Sequence, residues 1–374
     1  MRGELYFDHH AATPLDPRVR RAMERVRAEP LGNPASPHSA GRRARAHVEA
    51  ARAQIARAVN ASPAEVVLTS GGTEACNLGV LGLAQRVGRI VTTAIEHPAV
   101  AEPIASLVAR GHAVWALPVL DGRGPDDASV LAALSAERCA LLAVQSVNHE
   151  TGTVSPVEIW CSMAARVGAP SFVDATQALG KVRIDFETLG ASALALASHK
   201  IGGPAGAGAL VVRRGVVIDP QIVGGTQERG LRAGTPDVVA IVGFGVACEL
   251  VAERLHAQAR IGGQRDRIEA ALIARGATVN GVEPRVATVV DASISGWRSS
   301  TLVAALDLEG LAVASGAACS SGVDRPSPVV LAMVPGDPSR ASSAIRISLG
   351  VETTDDEVTR AIAILERVLS RSPA

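Results

Sequence analysis

The sequence lacks an excess of charge of either sign. Its 374 residues include 37 Lys and Arg side chains and 37 Asp and Glu side chains, so the formal net charge at pH 7 is zero. Proteins that bind nucleic acids or acidic membrane surfaces normally carry a basic excess. We therefore expect neither a nucleic acid nor a membrane among the partners of this protein.

Long apolar runs and paired cysteines are also missing. The most apolar stretch, Val238–Cys248, is far shorter than the roughly 20 residues of a spanning helix. Met1–Asp8 show no signal-peptide pattern, so we expect a cytoplasmic protein. The five cysteines are scattered and form no C-x-x-C pair, which argues against a disulfide framework and against a metal site. They are Cys76, Cys139, Cys161, Cys248 and Cys319.

Between residues 44 and 212, short apolar runs alternate with segments of helical period. The predicted strands are Val66–Thr69, Arg89–Ala94, Ala113–Leu117, Cys139–Gln145, Ser171–Val173, Ala193–Ala197 and Ala209–Val212. Repeated strand–helix–strand units predict a mostly parallel central sheet in an α/β fold. Ligands of such sheets bind beyond the carboxyl ends of the strands.

A smaller α+β domain is predicted to follow a long apolar helix at about Pro236–Ala257. We expect strands at Val286–Val290, Leu311–Ser315 and Ala344–Leu349, and a helix near Ser300–Leu308. The last helix should begin with a capping box of Thr354 and Glu357 and bury Val358, Ile362, Leu365 and Leu369. We assign residues 15–257 to the large domain, and residues 1–14 plus 258–374 to the small one.

Two turns at predicted strand ends could bind a phosphorylated cofactor. Ser70–Glu74 opens a helix, and Gly72 and Thr73 there would let free N–H groups approach a phosphate; an ordinary strand-to-helix turn explains this motif equally well. Lys200 lies in the crowded turn Ala197–Pro204, which suits a partly desolvated lysine that forms a Schiff base. A surface lysine remains the alternative.

Asp174 and His97 also follow predicted strands. A carboxylate at position 174 could pair with a pyridinium nitrogen, or it could cap a helix. The imidazole of His97 could stack on an aromatic cofactor, or it could be structural.

Residues Ala314–Gly322 are small and polar around one thiol, Cys319. Such surroundings favour an accessible sulfur over a packed one, although an inert cysteine is the alternative. Arg346 lies within an apolar strand, where a buried guanidinium is expected to meet an anion such as a carboxylate.

Taken together and in this order, these motifs resemble the cysteine desulfurases of the class V aminotransferase group, which are fold-type I pyridoxal-phosphate (PLP) enzymes. The resemblance covers almost the whole chain. The matching segments are Tyr6–Asp8, Ala11–Pro14, Gly32–Ser36, Glu96–His97, Val173–Gln177, His199–Lys200, Glu228–Gly230, Arg232–Thr235, Ser315–Cys319 and Ile345–Gly350.

The resemblance implies a role for each matching residue. Lys200 would carry PLP and move protons, His97 would stack on its ring, and Asp174 would pair with the ring nitrogen. The implied cofactor-binding residues are Gly72, Thr73, His97, His149, Asp174, Gln177, Ser198, His199, Lys200 and, from the second subunit of a homodimer, Thr235. Arg346 and Asn148 would bind the substrate carboxylate.

The resemblance also implies the reaction. Cys319 would attack the sulfur of L-cysteine, form a persulfide and leave L-alanine, with Lys200, Cys319 and His97 as the catalytic residues. The persulfide would supply a protein acceptor, such as an iron–sulfur scaffold protein, or another sulfur-transfer pathway. Two rival functions stay open: another substrate, as in a selenocysteine lyase or aminotransferase-like enzyme, and a degenerate subunit that only binds a partner.

The chain departs from the family pattern at two positions. His149 stands where an asparagine usually donates to the phenolic oxygen of the cofactor, and a neutral imidazole can also donate one hydrogen bond. Ala197 replaces a phosphate-binding serine, so either Ser198 substitutes for it or the site loses a bond worth roughly 1.5–3 kcal/mol. The two adjacent histidines, His9 and His10, are also unusual for the family, but the sequence offers no third ligand that would make them a metal site.

Overall fold

The computed structural model describes residues 4–316 and 325–371. Its strands are β1 Leu5–Tyr6, β2 Val66–Thr69, β3 Arg89–Thr93, β4 Ala113–Leu117, β5 Cys139–Gln145, β6 Ser171–Asp174, β7 Ala193–Ala197, β8 Gly208–Val212, β9 Thr278–Val279, β10 Val289–Ser293, β11 Leu311–Ala312, β12 Ala314–Ser315 and β13 Ala344–Ser348. Its α-helices are α1 Pro17–Arg27, α2 Ser39–Ala58, α3 Gly72–Leu83, α4 Pro98–Val108, α5 Asp127–Ser135, α6 Val157–Arg166, α7 Phe186–Leu189, α8 Val238–Glu249, α9 Val251–His256, α10 Gln258–Ile273, α11 Ser299–Leu308, α12 Pro328–Met333, α13 Pro338–Ser342 and α14 Asp355–Leu369.

The central sheet has seven strands in the order β2-β8-β7-β6-β5-β3-β4. Strands β4, β3, β5, β6 and β7 run parallel to one another. Only β8 runs against the neighbours on either side of it. The expectation of an α/β fold with a mostly parallel sheet is therefore confirmed, and the predicted strands match within one residue at each end.

Helices cover both faces of this sheet, which explains the continuous apolar runs. Side chains that alternate along each strand enter different cores. Leu194 and Leu196 of β7 join the core formed with α1, α2, α6 and α8, whereas Ala193 and Ala195 join the core formed with α3 and α4. Because both cores are formed by apolar side chains, the ends of the strands are the place for polar side chains.

A separate apolar core holds the N-terminal strand and the C-terminal third of the chain. It includes Phe7, Ile268, Ile347 and Leu365. The antiparallel sheet β12-β13-β10-β9 forms one wall, while β1 pairs with β11 in parallel. The division at residues 15–257 against 1–14 plus 258–374 stays a prediction.

Four expectations for the C-terminal part need correction. The strand expected at Leu311–Ser315 is two short strands in different sheets, since β11 pairs with β1 and β12 pairs with β13. The helix expected at Pro236–Ala257 is two helices, which meet at Leu250. The strand expected at Val286–Val290 begins only at Val289, because the Val286 N–H donates to the Gly152 carbonyl instead of a sheet neighbour. In α14 the buried residues are Val358, Ala361, Ile364, Leu365 and Val368, so Ile362 and Leu369 lie at the edge of the apolar face.

Among the described residues, no helix has both the length and the apolar character needed to cross a bilayer.

The capping box of α14 gives a test of the small core. Thr354 accepts from the Glu357 N–H at 3.2 Å, and Glu357 accepts from the Thr354 N–H at 2.8 Å. We expect Thr354→Ala to lower the free energy of unfolding by about 1 kcal/mol, measured by urea denaturation. Thr354→Ser keeps the hydroxyl and should match the wild type; equal stability of the alanine variant would contradict the assignment.

Candidate active site

A cavity of about 230 Å³ lies at the carboxyl ends of the central strands, beside the first turn of α3. It brings together side chains that are far apart in the sequence. The lining residues are Ala11, Gly72, Thr73, Cys76, His97, Ala99, Gln145, Val147, His149, Asp174, Thr176, Gln177, Ala197, His199 and Lys200. Most of the residues that the sequence nominated for cofactor binding therefore share one cavity.

The first turn of α3 offers backbone N–H groups to this cavity. The first N–H groups of an α-helix have no intrahelical acceptor, and no side chain caps this helix. A Cβ at Gly72 would press against Thr176 and Ala197, at 2.9 and 3.1 Å. Glycine therefore lets this turn approach the opposite wall, and the helix N-terminus favours an anion there.

His97 is held edge-on to a second imidazole. Its Nδ1 accepts from the Ala99 N–H at 3.0 Å, which places the proton of the neutral ring on Nε2. The ring centroids of His97 and His149 lie 4.9 Å apart, and the interplanar angle is 84°. Burial lowers the pKa of His97, and it lowers the pKa of His149 well below its usual range. Both rings are therefore neutral donors at neutral pH.

Asp174 ends β6, and its carboxylate accepts hydrogen bonds from the turn that follows. Its Oδ1 accepts from the backbone and hydroxyl of Thr176, at 2.9 and 2.7 Å, so the carboxylate fixes the following turn. It also lines the cavity together with Thr73 and Cys76. Burial, and then the charge of Asp174, raise the pKa of the Cys76 thiol.

Lys200 lies in the short turn Ser198–Ile201 after β7. Its Nζ donates to the carbonyl oxygens of His10, at 2.6 Å, and Ala11, at 3.1 Å. The amide of Gln177 donates to the same His10 carbonyl at 2.9 Å. The N-terminal segment thus holds the ends of both side chains at the cavity wall.

Electrostatics of the cavity favour an anionic occupant. Burial, followed by the charges of Lys200 and Lys181, lowers the pKa of His199 to about 4. Burial and the neighbouring His97 lower the pKa of His149, and the cations Arg346 and Lys200 lower it further. A group that carries negative charge would relieve this concentration of positive charge.

Four nominated residues lie outside the cavity lining of this chain. Ser198 is buried with its hydroxyl against Gly203, so Ala197 and not Ser198 faces the cavity. Asn148 uses its amide oxygen to accept from the N–H groups of Glu150 and Thr151, at 3.0 and 2.9 Å. It therefore shapes the turn that carries His149.

The other two are Arg346 and Thr235. Arg346 donates to the His149 carbonyl at 3.0 Å and to Asp8 at 2.9 Å, and its Nε is buried without a hydrogen-bond partner. Thr235 is exposed. Cys319 falls outside the described residues.

Several contributing residues escaped the sequence analysis. Lys181 donates to Gln177 Oε1 at 2.7 Å and so orients that amide. The His10 carbonyl, Asp8 and Glu150 meet the nominated residues only through the fold. Lys181 follows Gln177 by four residues, and this spacing is the only feature of the local sequence that indicates the contact. Among the described residues, no cluster of His, Cys, Asp or Glu could hold a metal ion.

Comparisons with known proteins agree with this geometry. The family model for Aminotransferase class-V matches residues 5–361. The chain belongs to this family. It is 37% identical to an IscS-like cysteine desulfurase of Mycobacterium tuberculosis, over 98% of this chain and 96% of that protein. It is 38% identical to a cysteine desulfurase of Bradyrhizobium diazoefficiens, over 100% of this chain and 96% of that protein.

The fold agrees as well. A solved structure described as a NifS-like protein superimposes with a TM-score of 0.91 and 33% identity, and the match covers 98% of this chain and 99% of that one. The expected fold-type I architecture is thereby confirmed.

The buried carboxyl of Glu96, beside His97, gives a pH-dependent test. Burial raises its pKa from 4.5 to about 8, against the hydrogen bond from Thr93. Between these values the folded chain keeps a proton that the unfolded chain has lost, so this group's stabilising contribution falls as the pH rises from 4.5 to 8.

Glu96→Gln removes this titration. We expect the stability of the variant relative to the wild type to rise between pH 5 and pH 8, by at most about 1.4 kcal/mol per pH unit, in urea unfolding. The exposed Glu102→Gln is the control. A relative stability that is independent of pH would show that Glu96 ionises normally.

Proposed function

We propose that this protein is a PLP-dependent cysteine desulfurase, which converts L-cysteine to L-alanine and transfers the sulfur to Cys319 as a persulfide. The observation that carries the proposal is the cavity in which Lys200, Asp174, His97 and the uncapped N-terminus of α3 converge. Relatives named as cysteine desulfurases, similar over nearly their full length, support the same reaction.

The residues present fit PLP. The N–H groups of Gly72 and Thr73, together with His199, would hold the phosphate, and His97 would stack on the ring. Asp174 would pair with the ring nitrogen, and Gln177 would face the phenolic oxygen. His149 Nδ1 is buried without a hydrogen-bond partner, so it suits the second donor to that oxygen. The bound cofactor would supply an electron sink for negative charge at the substrate Cα.

Lys200 is the base that this chain brings to the cavity. Its Nζ would take the proton from the substrate Cα, give a proton to Cβ when the C–S bond breaks, and return a proton to Cα as alanine forms. The His10 and Ala11 carbonyls that hold Nζ would keep it directed at one wall. The neutral rings of His97 and His149 would leave the amine as the group that moves protons.

The substrate carboxylate would bind Arg346, whose buried Nε has no hydrogen-bond partner. The guanidinium already pairs with Asp8 at 2.9 Å, so Asp8 would share it with the substrate. The Cys319 thiolate would attack the substrate sulfur. The C–S bond of cysteine breaks, an S–S bond forms, and Cβ takes a proton. Cysteine and one thiol thus give alanine and one persulfide without an external oxidant.

A homodimer completes the proposal. Thr235 lies near a stretch with exposed apolar side chains, among them Val217, Ile222 and Val223, which are 71%, 44% and 80% exposed. Exposed apolar surface of this kind favours contact with another chain. Thr235 of the second subunit would then join the phosphate site. The persulfide would pass to a protein acceptor such as an iron–sulfur scaffold protein.

The activity is tested with purified protein, L-cysteine and a reducing thiol. We expect equal yields of alanine and sulfide from a protein with the visible absorbance of bound PLP. Lys200→Ala should lose activity, with a loss of at least about 100-fold, and its absorbance should change. Cys319→Ala should keep the absorbance and release no sulfide.

Cys139→Ala is the matched control, since it removes a thiol at the start of β5 and should keep full activity. Sulfide release by Cys319→Ala at the wild-type rate would exclude the persulfide step. A yellow wild type that releases neither product would point to another amino acid.

Lys181 gives a second test, because it orients the Gln177 amide toward the cavity. Lys181→Met removes the hydrogen bond to Gln177 Oε1 and should weaken PLP binding by about three- to tenfold. The measurement is PLP titration of the apoprotein, followed by visible absorbance. Arg183→Met changes an exposed cation of the same segment and should leave the affinity unchanged. Equal affinities of the two variants would mean that Gln177 needs no such support.

A further inference from the structure

Glu150 lies buried between the cavity and the two described ends of the segment that contains Cys319. It is fully buried and directly follows His149, which lines the cavity. The segment itself, residues 317–324, lies outside the described part of the chain. Gly316 and Ser327 are described, and both contact the Glu150 carboxyl.

Ser327 makes the contact on the C-terminal side. Its hydroxyl donates to Glu150 Oε2 at 2.5 Å and accepts from the Val330 N–H at 3.0 Å, so it also caps α12. One hydroxyl therefore links the start of this helix to Glu150. The hydrogen bond is buried, where it is stronger than in water.

Gly316 makes the contact on the N-terminal side. A Cβ at this position would collide with Glu150 Oε2 and with the Ser327 side chain. Only glycine lets the backbone after β12 lie against both groups. The carboxyl oxygen of Glu150 is therefore a common contact of the chain that enters the segment and the chain that leaves it.

The turn that carries Glu150 is itself fixed. Asn148 Oδ1 accepts from the Glu150 N–H at 3.0 Å, from the Thr151 N–H at 2.9 Å and from the Thr151 hydroxyl at 3.1 Å. The side chain of His149 enters the cavity, while the side chain of Glu150 reaches Gly316 and Ser327. A rigid turn thus joins the cavity wall to the two ends of the segment.

The raised pKa of Glu150 indicates that its carboxyl meets Ser327 in the uncharged form. Burial, and then the charge of Asp291, raise the pKa of Glu150 to about 8, against the lowering by Ser327 and Arg346. The carboxyl is therefore mainly protonated at pH 7. Oε1 has no hydrogen-bond partner and lies 3.6 Å from His149 Nε2. A glutamine could keep the neutral oxygen that accepts from Ser327.

We propose that Glu150 is a positioning residue that holds Gly316 and Ser327 together and so fixes the two described ends of the segment that contains Cys319. The proposal rests on the proposed function for its catalytic meaning. Glu150 touches neither the substrate nor the cofactor in this assignment; it acts through the ends of the segment.

The first readout is sulfur transfer, measured as persulfide formed on Cys319 in a single turnover with L-cysteine. We expect Glu150→Ala and Ser327→Ala to slow this step by at least about tenfold. The absorbance change on adding L-cysteine should keep its half-saturation within about twofold, because cofactor and substrate contacts remain. Glu150→Gln should transfer sulfur within about twofold of the wild-type rate.

The second readout needs no turnover. The rate at which iodoacetamide alkylates Cys319, followed by mass spectrometry, should change at least about threefold in Glu150→Ala and in Ser327→Ala. Asp126→Ala is the control, since it removes a comparable helix cap from α5, away from the site. It should leave both readouts at the wild-type values.

Wild-type rates of persulfide formation and alkylation in Glu150→Ala would overturn the proposal. An equal loss of PLP content and of sulfur transfer, or a failure of Glu150→Gln to restore transfer, would show a merely structural role and overturn it too. If the wild type is colourless and inactive, the proposed function fails, and the alkylation rates alone decide whether Glu150 positions Cys319.

Discussion

The carbonyl oxygen of His10 is the point on which the site depends, because Lys200 and Gln177 both donate to it. This carbonyl belongs to an N-terminal segment that joins the two apolar regions. Residue 5 pairs with β11, and the Phe7 carbonyl accepts from the Ser348 N–H at 2.8 Å. The Thr13 N–H then donates to the His199 carbonyl at 2.9 Å, and the Thr13 hydroxyl donates to the Lys200 carbonyl at 3.1 Å. A segment of about ten residues therefore ties the small core to the lysine turn of the large sheet.

The second constraint on the site is the balance of charge among its buried groups. Lys181, Lys200 and Arg346 lie close enough that each of the other two helps to lower the pKa of Lys181, after burial. Nearby imidazoles stay neutral for the same reasons, and Glu96 and Glu150 stay mainly protonated at pH 7. Positive charge on the imidazole rings would raise the electrostatic free energy of the site, because the three cations lie close by. A phosphate and a carboxylate would lower it, which is why the proposed ligands suit the site.

Much of the fold could be predicted from the sequence, since a strand buried on both faces leaves a continuous apolar run. Strand β7 was placed to the residue for this reason. Lys200, Asp174 and His97 could be nominated because each lies within three residues of the end of such a run, and the strand ends share one edge. The late start of β10 could not be foreseen, since it depends on the contact of Val286 with Gly152, a distant segment.

Side-chain direction was the harder part of the site. Ser198 and Ala197 are neighbours, yet the structure places Ala197 at the cavity and the Ser198 hydroxyl beside Gly203. Asn148 looked like a substrate ligand because of its motif, but its amide oxygen serves three donors of its own turn. Glu150 carried no signal of its own. Its contacts come from residues more than 160 positions later, which a single sequence does not connect.

Ala197 at the cavity wall has a consequence for how a phosphate would be held. Ser198 cannot replace the missing hydroxyl while its side chain lies against Gly203, so the cradle loses one donor on this chain. The neutral imidazole of His199 and the N–H groups at the start of α3 remain. These donors orient an anion but bring no full charge, so the attraction must come from the nearby cations and from the helix dipole. The affinity for a phosphorylated cofactor would then depend on Lys200 and Lys181 more than on a hydroxyl beside the lysine.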